Sequence, residues 1–170
     1  GNELRIAGSK FKNGIISSNS LLLQSVINNL GGEAFDLGIA RDNSASITKK
    51  LKDINKYNIL ISTGGASVGK HDLIKSVLTK LGMKLIFWKV AMRPGKPLIF
   101  GKLNNTLILG FPGNPVSSYV SALIFLKPLI NSYYKINIEH DIKYGVLEKP
   151  LIKNDERQEY LRSKVYFKNN

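Results

Sequence analysis

Cysteine is missing from the sequence. That absence excludes disulfides and thiolate metal sites, and it suits a reducing cytosol, so a cytoplasmic location is expected. Long apolar runs are missing too. None approaches the roughly 20 residues that span a bilayer, and no charged-then-apolar signal segment opens the chain. Histidine is scarce: His71 and His140 are the only two, neither has a partner at metal-ligand spacing, and both read as structural or exposed. Acid is also in short supply, with 12 Asp+Glu against 25 Lys+Arg and a net charge of +13. Such an imbalance draws polyanions. Here the lysines are scattered singly, with no run of five and no nucleic-acid module signature, so the excess reads as a solvated surface. Neither nucleic acid nor membrane is expected as a partner.

What is present reads as one α/β domain. A chain of 170 residues that is 43% hydrophobic can bury one sizeable core with a short appendage. "SLLLQSVINNLGG" places Leu23, Val26, Ile27 and Leu30 at i, i+3, i+4 and i+7, an amphipathic helix with Asn19 or Ser20 as cap and Gly31 as stop. "EAFDLGI" reads as a short strand, "SASITKKLKDINK" as a second helix and "YNILIS" as a buried strand. After a glycine loop, "DLIKSVLTKLG" stacks Leu73, Ile74, Val77, Leu78 and Leu81 on one helical face that ends at Gly82. "KLIFWKV", "PLIF" and "NTLILG" follow as strands, the last two joined by a turn at Asn104 and Asn105. Phe87 and Trp88 are expected as packing residues. Asn114 caps, and Pro115 opens, a long helix through "VSSYVSALIFLKPLI". Alternating strands and helices predict a three-layer fold, a mostly parallel sheet with helices on both faces. From about residue 140 the pattern changes, and "YGVLEKPLIKNDERQEYLRSKVYF" reads as two β segments around a charged turn, too short to bury a core alone.

Ligands of such sheets sit beyond the carboxyl ends of the strands, which directs attention to the loops there. Gly64 to Lys70 fits G-x-x-x-x-G-K, but His71 stands where a phosphate loop needs Ser or Thr for Mg²⁺, and no strand ends in a partner aspartate. The Walker reading therefore fails. Gly64, Gly65 and Gly69 still allow a tight turn and close approach to an anion before a helix N-terminus. "MRPGKP" holds Arg93 and Lys96 around a Pro-Gly turn, suited to an oxyanion or equally an ordinary charged turn. "GFPGNPVSS" offers backbone donors to an anion, or a rigid strand-to-helix link. Asp42 and Asp72 suit a Mg²⁺ ion, a proton transfer or a helix cap.

Taken in order, "GNEL", "GIISSNSLLLQSVINNLG", "STGGASVGKHD", "FWKVAMRPGKPLIFGK" and "LGFPGNPVSS" resemble the molybdopterin molybdenumtransferase family, the bacterial MoeA and gephyrin E-domain group. The resemblance implies a molybdopterin-binding α/β domain over residues 1–140 and the start of a C-terminal β-barrel domain over 141–170. It implies Mg²⁺-dependent insertion of molybdate into adenylylated molybdopterin with release of AMP. By position, Glu3, Asp42 and Asp72 match the family's catalytic acids, Asp42 and Asp72 its metal ligands. Gly64, Gly65, Ser67, Gly69, Pro112, Gly113, Asn114, Pro115 and Ser117 match the pterin and phosphate loops. Arg93, Lys96 and Pro97 match the molybdate site, and Arg157 and Arg162 the basic positions opening the β domain. Asn2, Lys70 and Arg93 depart from the family's usual residues. The resemblance further implies a homodimer about twice this length, of which the present chain is an inactive fragment. An adenylyltransferase on a similar fold and a non-catalytic pterin-binding module are the alternatives.

Overall fold

A computed structural model describes residues 1–10, 13–65, 73–137, 142–152 and 155–167. Eight strands appear among these residues: β1 (Leu4–Arg5), β2 (Ile15–Ile16), β3 (Ile59–Thr63), β4 (Lys84–Trp88), β5 (Met92–Arg93), β6 (Ile99–Leu103), β7 (Thr106–Phe111) and β8 (Gln158–Glu159). The helices are α1 (Asn19–Asn29), α2 (Ser44–Lys50), α3 (Leu73–Lys80), α4 (Pro115–Ser121) and α5 (Lys127–Tyr133). Between α4 and α5 the chain stays helical but widens to π geometry over Ala122–Leu126. The wider turn lies just before Pro128, whose ring cannot donate into an α-helical ladder.

The central sheet has the order β3-β7-β6-β4. Its strands alternate. Leu60, Ile99, Leu103 and Ile108 turn to one face and pack against Ile47 and Leu51 of α2 and Ile74, Val77 and Leu78 of α3. Ile59, Ile61, Leu109 and Phe111 turn to the other, against Leu23 of α1 and Ala122, Leu126 and Ile130 of the 115–133 helix. Period-2 alternation of this kind is what two buried faces require. The α/β class and the three layers are therefore as expected.

Three of the four strands run the same way, and β6 is reversed. β3 and β7 are parallel, whereas β6 runs antiparallel to both β7 and β4. The physical reason is short connections: Asn104 and Asn105 join β6 to β7 in a two-residue turn with Asn104 at φ +52, and so tight a link permits only antiparallel pairing.

Local readings shift in four places. Residues 33–39 form no strand, because the Asp36 carboxylate accepts the Gly38 N–H at 2.7 Å and Gly38 turns to φ +73. The second helix stops at Lys50 and gives way to a 3₁₀ turn over Ile54–Lys56, where the Thr106 hydroxyl engages the carbonyls of Ile54 and Tyr57. Leu81 lies past the last turn of α3 and is exposed. Where two C-terminal β segments were expected, β8 is the one strand that pairs among the described residues, running parallel to β5.

Candidate functional site

β4 is antiparallel to β6, which is antiparallel to β7, so β3, β7 and β4 all point the same way. Register confirms the common edge: Thr63 lies opposite Phe111, Gly110 opposite Ile99, and Ile99 opposite Trp88. Three connections therefore emerge together beyond the carboxyl ends of the strands. They are the glycine loop after β3, the Pro-Gly-Asn-Pro turn after β7, and the 89–98 connection with its Arg-Pro-Gly-Lys turn.

The first two touch. The Gly64 N–H donates to the Phe111 carbonyl at 3.0 Å, and a methyl added at Gly113 would lie 3.4 Å from the Gly64 Cα. Gly64 (φ +77) and Gly65 (φ +70) both occupy the left-handed region that favours glycine. Two bare backbones in contact give the edge a floor without side chains. Asn114 caps the following helix, its Oδ1 accepting from Val116 N at 3.0 Å and Ser117 N at 3.2 Å, and the Ser118 hydroxyl donates to the Pro112 carbonyl. The cap thus occupies two helix-start donors that the sequence offered to an anion. Pro112 is buried, while Gly113, Asn114 and Pro115 are exposed and Ser117 is half-buried.

The third connection carries the charge. Gly95 at φ +108 is packed so tightly that an added methyl would come within 3.1 Å of Met92 Cε and of the Ser121 hydroxyl. This fixes the turn on which Arg93 and Lys96 stand exposed, with Pro97 half-buried behind them. Arg93 faces Glu159 of β8, Nη1 to Oε1 at 3.6 Å. Arg157 pairs instead with Asp155, and its guanidinium lowers that carboxyl from 3.8 to about 2.

The acids form a separate group. The Asp42 Oδ2 accepts the Asn2 N–H at 2.8 Å, and the Asp42 N–H donates to the Asn2 side chain at 3.3 Å, which ties the segment carrying Glu3 to the start of α2. Glu3 and Asp42 are exposed, and Asn43, not Asp42, caps α2. Ser67, Gly69, Lys70, His71, Asp72 and His140 lie outside the described residues. Among the described residues no three His, Asp or Glu side chains gather as a metal cluster.

Two features escaped sequence reasoning. Asn19 is not a cap: Ser18 holds that position without a side-chain bond, and the Asn19 Nδ2 donates instead to the Gly113 carbonyl at 2.8 Å. An asparagine at a helix start looks the same in sequence whichever partner it takes. Trp88 is more than packing. The Lys75 Nζ lies 3.4 Å and the Lys89 Nζ 3.9 Å from its ring centroid. Among the described residues, the buried side-chain polar atoms without a partner are Asn19 Oδ1, Ser62 Oγ, Trp88 Nε1 and Ser121 Oγ, and all four belong to elements bordering this edge. Unsatisfied polar groups are costly in a core.

Residues 1–132 match the family model described as a probable molybdopterin binding domain. The chain is similar to the molybdopterin molybdenumtransferase of Haemophilus influenzae, 39% identical over 132 residues, covering 76% of this chain and 32% of the relative. It is similar to that of Bacillus subtilis at 32% identity over 154 residues, covering 89% of this chain and 36% of the relative. A crystal structure of a molybdopterin biosynthesis MoeA protein from Pyrococcus horikoshii superposes with a TM-score of 0.68 at 31% identity, over 76% of this chain and 32% of that one. Molybdenum cofactor biosynthesis protein B, at 13% identity and a TM-score of 0.57, shares the fold. The chain spans about a third of the length of the curated relatives it matches.

Proposed function

The chain belongs to the molybdopterin-binding domain family, and on that premise we propose that it is the pterin-holding part of an enzyme that inserts molybdate into adenylylated molybdopterin with release of AMP. The observation that carries the reading is the pairing of a side-chain-free floor with fixed cations at one edge. Gly64 against Gly113 admits a flat ring system close to backbone. Arg93 and Lys96, held by the Gly95 turn, supply the charge that a tetrahedral dianion and a phosphoanhydride need as the bond to AMP breaks.

Mg²⁺ fits the acids. Such ions take one or two carboxylates and complete their shell with water and substrate phosphate, so a three-acid cluster is not required. Asp42 leaves its side chain about half exposed (51%) with hard oxygen donors, and Asp72, the second acid of this reading, lies outside the described residues. When bound, the ion would neutralise phosphate oxygens. The chain's own residues orient: Asn2 holds Asp42, Gly95 holds Arg93 and Lys96, and Asn19 holds the Gly113 turn.

The same reading includes a cytoplasmic homodimer, a pterin domain ending near residue 140 and a further β domain beginning after it. In support, among the described residues no helix is long and apolar enough to cross a membrane, and the 142–167 segment exposes Tyr144, Val146, Ile152, Tyr166 and Phe167, surface that a further domain would cover.

The test is to add molybdate to the protein that carries this chain, charged with adenylylated molybdopterin. AMP release that depends on molybdate is expected. Consumption of ATP instead would identify the adenylyltransferase, and pterin binding without AMP release would identify a binding module.

A further inference from the structure

We propose that Asn19 is a positioning residue for the pterin: its amide holds the glycine floor in the conformation that binds, and it does so at the expense of stability. Asn19 opens α1 and is 8% exposed. Its Nδ2 donates to the Gly113 carbonyl at 2.8 Å, while its Oδ1 is buried with no partner. The partner dictates that orientation, because a carbonyl only accepts and the amide must turn its donor toward it. A buried acceptor left unpaired destabilises the fold. Leucine has the same branched shape and would fill the volume without a polar atom. Asn19 does not serve its own helix either, since Ser18 holds the cap position. The one bond that the side chain makes is at the floor.

That bond restrains a backbone with little of its own to fix it. Gly113 has no side chain, and Gly64 across the floor stands at φ +77. Both residues have wide conformational freedom. The bonds from Asn114 and Ser118 anchor the turn to the helix that follows it, whereas Asn19 ties it to α1, 94 positions away in sequence. A flat ring on this floor needs the two backbones at a fixed separation. A turn that sampled other conformations would bind only in proportion to the fraction in the competent one. The inference rests on the pterin-binding reading above and adds to it a residue that sets affinity.

The test compares Asn19→Leu with the wild type in the enzyme that carries this chain, by urea unfolding, by equilibrium titration with molybdopterin, and by amide hydrogen exchange without ligand. The urea midpoint should be unchanged or higher, because an orphan acceptor is removed and the exposed Gly113 turn can bond water instead. The Kd for molybdopterin should rise roughly 3- to 10-fold, the equivalent of one hydrogen bond. Exchange across residues 113–117 should quicken while the interior of β3 stays protected. Asn19→Asp keeps the size but sets a carboxylate against the Gly113 carbonyl, so at neutral pH it should lose at least as much affinity. Unchanged affinity in Asn19→Leu would overturn the proposal. So would a loss of affinity that comes only with a lower urea midpoint, which would make Asn19 a structural residue and nothing more. If the wild type itself takes up no molybdopterin, the pterin-binding reading fails, and unchanged exchange across 113–117 in Asn19→Leu separately overturns the hold of Asn19 on the turn.

Discussion

Gly64 and Gly113 approach so closely that each tolerates a methyl differently. Gly113→Ala meets the Gly64 Cα at 3.4 Å, a contact the neighbouring turn relieves by a small shift. Gly64→Ala adds the cost of a side chain at φ +77, about 1–2 kcal/mol. Urea unfolding should therefore rank Gly64→Ala as the more destabilising. Gly8→Ala, with φ +79 and open space around it, should show the backbone term alone. For the cations, replacing Arg93 and Lys96 by Ala in the enzyme that carries this chain should raise the molybdate needed for AMP release by roughly 10- to 150-fold, the equivalent of one charge-assisted bond. Pterin binding should fall less, because the glycine floor remains. Equal losses would move both cations to the pterin phosphate.

Elements were largely legible because their signals are local. The i, i+3, i+4 stacking of α1 and α3, the Asn114-Pro115 start of α4 and the apolar runs of β3 and β7 each follow from side-chain periodicity or capping chemistry. Asn114→Ala should cost about 1 kcal/mol in thermal or urea unfolding, since it leaves the Val116 and Ser117 N–H groups unpaired at the turn that also meets Gly64. Gly101 is an element-scale glycine whose need no motif announces. A methyl there would lie 2.8 Å from the Lys84 carbonyl on the neighbouring strand. Gly101→Ala should separate β4 from β6, destabilise by about 1–3 kcal/mol, and lower amide protection across 84–88 more than across β3. The isolated "EAFDLGI" run failed as a strand once Asp36 bonded its own backbone.

The whole molecule joins the α/β core to the C-terminal segment through β5 and β8 and through the Arg93 to Glu159 pair. Acid tests the turn that leads into β8. The folded carboxyl of Asp155 is held at about 2, below its ordinary 3.8, chiefly by the side-chain bond from Arg157. A depressed pKa means its contribution is complete above about 4 and is lost as pH falls through about 2. Carboxyl NMR should place the Asp155 midpoint near 2, and Arg157→Ala should return it toward 3.8. A midpoint that stays low in the variant would assign the shift to another neighbour.

Composition and pattern by themselves determined the α/β class, most helices and the three candidate loops, because glycine, proline, capping and periodic apolar residues act within a few positions of one another. Only the tertiary structure decided that Asn19 holds the Gly113 turn instead of capping its own helix, and that Lys75 and Lys89 meet over Trp88. Those outcomes join residues between 14 and 94 positions apart, from Lys75 with Lys89 to Asn19 with Gly113. Such contacts follow from strand order and register, which are set by the packing of two faces at once and carry no local signature.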